Sequence, residues 1–166
     1  PLRSATLTGK TIDVNLGAGN NTLTLLGTTI ATSTLALTSL GGQDRFALRG
    51  RVRAAATAIR LGSGDARLDL AVSEIAGNPK VFGEDGADTI NVDRLPSLTS
   101  RTGSATDTLD IDGGQDTDTI RIQLAGASSY RINVTDSGNP DRGVDTLTIL
   151  GTDAADQFLM RRNFVA

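Results

Sequence analysis

Hydrophobic and polar residues alternate along most of this chain in short runs, each run opened by a turn. Gly17-Ala-Gly-Asn-Asn-Thr-Leu-Thr-Leu25 is a Gly-rich turn followed by alternating Thr and Leu. The same sense recurs at Gly41–Leu48, Gly62–Leu70, Gly83–Val92 and Gly113–Ile122. Shorter versions are Thr106–Ile111, Gly143–Ile149 and Gly151–Leu159. The common pattern is turn, Asp or Asn, then apolar-x-apolar. Glycine supplies the positive φ of a tight turn, and Asp or Asn bonds its own backbone there. Apolar-x-apolar is the period-two signature of a half-buried strand. The turn glycines are Gly17, Gly41, Gly62, Gly83, Gly113 and Gly143.

Between these motifs lie second alternating runs, at Thr11–Leu16, Thr34–Leu37, Ala58–Leu61 and Tyr130–Val134. A weak helical reading exists only over Arg51–Ile59, where alanines cluster. The marker residue steps from Asn20 to Asp44, Asp65, Asp88 and Asp107, with a further step from Asp118 to Asp145. Steps of roughly 20–25 residues suit one coil of a β-solenoid, in which coils stack ~4.8 Å apart. The expectation is an all-β parallel β-helix of roughly seven coils, one domain over residues 1–166, with Ser97–Thr106 and Thr135–Gly143 as excursion loops. A β-sandwich is the alternative, since it also has many short strands.

Composition sharpens this picture. Seventeen of nineteen acids are Asp and fourteen of sixteen bases are Arg, with 19 Gly and 22 Thr, a mix that favours strands and turns over helices. The 166 residues include no Cys and no His. Disulfides, thiolate chemistry, imidazole zinc sites and Ser-His-Asp triads are therefore excluded. Aromatics are 3% and the formal net charge is −3, which argues against base stacking and nucleic-acid binding. No run of 18 apolar residues is present, so no membrane-spanning helix is expected. Residues 1–83 carry nine basic residues against five acids, and residues 84–166 carry seven against fourteen. The chain is thus basic first and acidic second.

Gly83-Glu-Asp-Gly-Ala-Asp-Thr-Ile-Asn91 resembles the nonapeptide of hemolysin-type calcium-binding (RTX) repeats. Gly113–Arg121 matches with Asp116 where that family has Gly. The wider chain is similar to large repetitive secreted and surface proteins of bacteria. That resemblance implies an extracellular or cell-surface location, an adhesive or structural role, and calcium as a cofactor. RTX nonapeptides run in tandem, whereas here they are separated by ten or more residues, which favours a larger coil.

Stacked Asp turns would place like charges about 5 Å apart, and a bound cation is one remedy. The candidate ligands are Asp107, Asp110, Asp112, Asp116 and Asp118, with Asp85 and Asp88 as a second group. The competing reading is that these residues cap turns, with Arg nearby to balance charge. Asp69, Asp93, Asp110 and Asp112 with Arg67, Arg94 and Arg121 offer an acid-base set for polysaccharide cleavage, but nothing in the sequence selects it. Thr-x-Thr pairs read as outward strand positions. The run Arg45, Arg49, Arg51, Arg53 reads as a surface for an acidic polysaccharide or another partner, or else as a solvated face or one side of cross-coil Arg–Asp pairs. Phe46, Phe82, Phe158 and Phe164 read as core fillers.

Solenoid ends expose core and unpaired backbone unless capped. The last residues, Phe158–Ala166, are still apolar, and no cap motif is visible. The expectation is a processed chain or a segment of a longer one, covered by flanking repeats or by another copy. The functional expectation is a non-enzymatic extracellular structural subunit that stacks end to end into filaments. The alternatives are a polysaccharide-binding adhesin module and a polysaccharide-active β-helix enzyme.

Overall fold

The computed structural model describes residues 6–95, 108–126, 131–138 and 143–156. Among these, every regular element is a strand: β1 Thr6–Asn15, β2 Thr22–Leu25, β3 Thr28–Thr38, β4 Arg45–Leu48, β5 Arg51–Arg53, β6 Ala56–Arg60 and β7 Arg67–Leu70. The second half continues with β8 Glu74–Ala76, β9 Lys80–Phe82, β10 Thr89–Asp93, β11 Thr108–Asp112, β12 Thr119–Gln123, β13 Arg131–Thr135 and β14 Thr146–Leu150.

The strands form two parallel sheets. One runs β14-β12-β10-β7-β4-β2. The other runs β13-β11-β9-β6-β3-β5-β8, with β1 also paired to β3. The chain visits the sheets alternately, so each circuit lays one rung on each. This is a β-solenoid of about five turns among the described residues, fewer than the seven expected. The shortfall has a simple cause, because the coils are longer than a uniform 22–23 residues. The step is 23 at Asn21–Asp44 and 22 at Ala66–Asp88, but 30 at Asp88–Asp118 and 27 at Asp118–Asp145. Among the described residues all sheet pairings are parallel, which dismisses the sandwich.

Period-two alternation builds the core. Phe46, Leu48, Leu68, Leu70, Ile90, Val92, Ile120 and Ile122 point inward from one sheet and are buried. Leu35, Leu37, Ile59, Val81, Leu109 and Ile111 meet them from the other. At ~25 cal/mol per Å², each fully buried Leu or Ile contributes about 1.5–3 kcal/mol. Stacked aliphatic columns therefore carry most of the stability.

Two local expectations change. Residues 51–59 are extended: β5 and β6 pair with β3, and β5 also with β8. Cross-coil backbone bonds and burial of Val52, Ala54 and Ile59 override the helical preference of alanine. Phe46 is a core residue, whereas Phe82 is half-buried on the outer face, with the Arg60 guanidinium 4.3 Å from its ring centroid. Phe158 and Phe164 lie outside the described residues.

Candidate functional site

The Asp-bearing turns stack at the corner that precedes the β14–β2 sheet. Here Ala18, Gly41, Ser63, Asp85 and Gln115 are linked by single parallel bridges from coil to coil. The next position is left-handed in every one of these coils: Gly19, Gly42, Gly64, Gly86 and finally Asp116, at φ 74°. A Cβ on Gly42 would come within 2.4 Å of the Gly19 carbonyl oxygen, so the glycines permit close stacking as well as the turn. Gly17, Gly41 and Gly62 have positive φ as expected. Gly83, Gly113 and Gly143 do not, and for Gly83 the requirement is space: a Cβ would lie 1.8 Å from the Gly113 oxygen.

Two columns of side chains lace this corner. In one, a carboxylate reaches back to the amide of the preceding coil. Asp44 accepts from Asn21 N (2.5 Å), Asp88 from Ala66 N (2.8 Å), Asp118 from Asp88 N (2.8 Å) and Asp145 from Asp118 N (2.8 Å). In the adjacent column the direction reverses. Asn20 accepts from Gln43 N, Asp65 from Ala87 N and Thr117 from Val144 N. The sequence markers Asn20 and Asp65 thus belong to a different column from Asp44 and Asp88. The coil that has Asp65 in the forward column has Ala66 in the backward one. Sequence spacing shows the recurrence but not this offset of one residue, which only register reveals.

Asp44, Asp88 and Asp118 are each 1% exposed. The second oxygen of Asp44 accepts from the Ser39 hydroxyl. The position five residues before Asp88 is Gly83, and Asp88 Oδ2 is buried without a hydrogen-bond partner. Burial, with the charges of Asp118, Asp65 and Glu84 nearby, pushes the Asp88 carboxyl up to about 8, against the pull of the Ala66 amide.

The remaining candidate ligands are spread over separate positions, Asp85 and Asp116 exposed and Asp110 and Asp112 half-buried. Asp85 accepts from Gln115 Nε2 (2.6 Å), Asp110 from Asn133 Nδ2 (2.7 Å), and Asp112 from the Ser137 amide and hydroxyl. Asp107 lies outside the described residues. Among the described residues, no three carboxylates converge as metal ligands would.

A second constellation forms on the outer face of the β14–β2 sheet. The outward column Ala47–Asp69–Asn91–Arg121 runs across β4, β7, β10 and β12. Asp69 is 8% exposed and sits beneath three donor residues. Arg67 binds it through Nε (3.0 Å) and Nη2 (2.7 Å), Arg45 through Nη2 (2.9 Å) and Asn91 through Nδ2 (3.0 Å). Burial opposes ionisation, but the Arg67 and Asn91 hydrogen bonds and the charges of Arg67 and Arg45 together hold this carboxyl below its ordinary value. A groove of 280 Å³ runs beside it, lined by Arg49, Arg67, Arg94 and Arg121 with Asp93 and Gln123 among others. Sequence reading grouped Asp69, Asp93, Arg67, Arg94 and Arg121, and the fold brings these five together here. Asp110 and Asp112 stand on β11, in the opposite sheet.

The Arg45–Arg53 run divides between the sheets. Arg51 and Arg53 both pair with Glu74, at 2.8 and 2.6 Å, and Arg45 with Asp69, so cross-coil pairing accounts for three of the four. Arg49 makes no ion pair among the described residues. Asn91 and Gln123 were missed by sequence reasoning. Their outward parity in strands spaced by whole coils was the available signal. No family model, curated protein or solved structure matches the chain.

Proposed function

We propose that this chain is a non-enzymatic structural module of an extracellular surface protein, in which the solenoid continues by stacking onto a second copy. The supporting observation is the mismatch between the interior rungs and the last described rung. Leu147 and Ile149 on β14 are in register with Ile120 and Ile122, which are buried, yet they are 44% and 38% exposed. Val144 beside them is 79% exposed. Such an apolar strand edge is a template for another strand.

The complementary surface is at the other end. β2 is the opposite edge of the same sheet and reads Thr22-Leu-Thr-Leu25, against Thr146-Leu-Thr-Ile149 on β14. Placing β2 of a second copy on β14 continues the Thr and aliphatic columns by one coil step. The backward column also continues, since Asn21 would present an acceptor to the Asp145 amide. The basic first half and acidic second half favour this head-to-tail sense. A contact of this kind does not close on itself and builds a filament.

Sedimentation velocity and negative-stain electron microscopy over a concentration series test the reading. Wild type should assemble into rods, and the variant Leu147→Asp/Ile149→Asp should stay monomeric with an unchanged β spectrum. Monomers of 17.2 kDa at every concentration would reject it. Calcium bracing rests on the sequence resemblance, and its test is far-UV CD during calcium addition to chelator-treated protein. A gain of β signal at micromolar to millimolar calcium supports it, and an indifferent β spectrum dismisses it.

A further inference from the structure

We infer that the groove on the outer face of the β14–β2 sheet binds a carboxylate-bearing polysaccharide strand. Local charge is the first argument. Among the described residues, Arg49, Arg67, Arg94 and Arg121 line the groove with Asp69 and Asp93 as its acids, and Arg45 pairs with Asp69 beside it, in a chain whose net charge is −3. Guanidinium groups stay charged throughout the accessible pH range, so the excess is permanent.

The groove is also built rather than incidental. Asp69 is spent on its three neighbours: it fixes the planar forks of Arg45 and Arg67 and steadies Asn91. Arg94 is tied to Asp93 at 3.1 Å. Arg49 and Arg121 are exposed and make no ion pair among the described residues, so their donors are available. Between Arg49 and Asp93 the column passes through Ala71, whose small side chain leaves the floor open.

Shape and chemistry then select the ligand. The arginines lining the groove come from four successive coils, Arg49 after β4, Arg67 on β7, Arg94 after β10 and Arg121 on β12, so a polymer along the axis meets a cation at each step. Planar guanidinium forks match planar carboxylates with paired hydrogen bonds. Asn91 and Gln123 offer both donors and acceptors for hydroxyls beside them. No aromatic ring lines the groove, which removes the stacking that single-stranded nucleic acid uses. The groove lies on the flank of the stack and remains accessible when the ends are covered.

Affinity electrophoresis of the full chain in low salt, through gels carrying polygalacturonate, dextran sulfate or neutral dextran, tests the assignment. Polygalacturonate should retard wild type most strongly, and added salt should weaken the effect. R49Q/R121Q should lose about tenfold or more in affinity with an unchanged CD spectrum. K80Q/R131Q, an equal charge change at exposed positions of the other sheet, should lose less than about twofold. Equal loss in both double variants, no retardation by polygalacturonate, retardation by neutral dextran, or binding to dextran sulfate as tight as to polygalacturonate would each overturn it.

Discussion

Asp44 and Asp88 turn the same corner of the solenoid two coils apart, in different company. Both are buried to 1% exposure and both accept an amide from the coil before. Asp44 has Ser39 on its second oxygen, and Asp88 has Gly83 at the matching position, where no hydroxyl exists. The first carboxylate is fully engaged, and the second is left with one buried, unpartnered oxygen and a raised pKa. A motif can thus repeat in backbone while its energetics change through one atom five residues upstream. Gly83 has a reason of its own, since the Gly113 carbonyl occupies the space a side chain would need.

The most severe way to break the comparison is to transplant the serine. Gly83→Ser supplies the hydroxyl, but its Cβ would sit 1.8 Å from the Gly113 oxygen. The expected result is a loss of about 3 kcal/mol or more in denaturant melts. Wild-type stability would mean that the two coils separate easily. Next comes Asp44→Ala, which strands the Asn21 amide and the Ser39 hydroxyl. Losing a buried acceptor of two hydrogen bonds should cost about 2–3 kcal/mol in the same melts, and a loss below half of that would deny the corner its role as an inter-coil clamp.

A pH series sharpens the contrast. Asp88 lies near 8 in the folded chain and near 3.8 when unfolded, so the folded state keeps a proton that the unfolded state releases. Its contribution is therefore fully present below pH 4, declines as pH rises, and is lost by about pH 8. The decline should be of the order of a few kcal/mol. Asp88→Asn should flatten that slope in urea melts at pH 5, 7 and 9. Asp69 has the opposite sign: its lowered pKa adds stability that disappears as pH falls through the carboxylate range. The mildest test concerns Thr57, which stands in register with Leu35 on the inner face and buries an unpartnered hydroxyl. Thr57→Val should raise stability by about 1 kcal/mol. A destabilised variant would indicate a partner for that hydroxyl.

Much of the architecture was legible in the sequence because strand parity and glycine turns are local signals. The second strands at Thr34–Leu37 and Ala58–Leu61 fall within or overlap β3 and β6. The coil count was not legible, because steps of 30 and 27 residues dilute the period. The corner columns were half legible. The aspartates were visible, but whether a carboxylate reaches forward or backward depends on a register offset of one residue. Asp65 and Asp88 look equivalent in the sequence and act in opposite directions. The groove was legible only as an unselected group of Asp and Arg, because alignment across coils is needed to bring Arg49, Arg67 and Arg121 to one face.

The step from Asp88 to Asp118 spans eight residues more than the step from Ala66 to Asp88, yet β10 and β12 pair residue for residue from Thr89–Thr119 to Asp93–Gln123. On the other sheet, β9 and β11 absorb the same 30-residue step, so the added length enters between Asp93 and Thr108. Circuit length is therefore decoupled from stacking at that corner. An unrelated peptide grafted between those two residues would leave the described rungs beyond it in register.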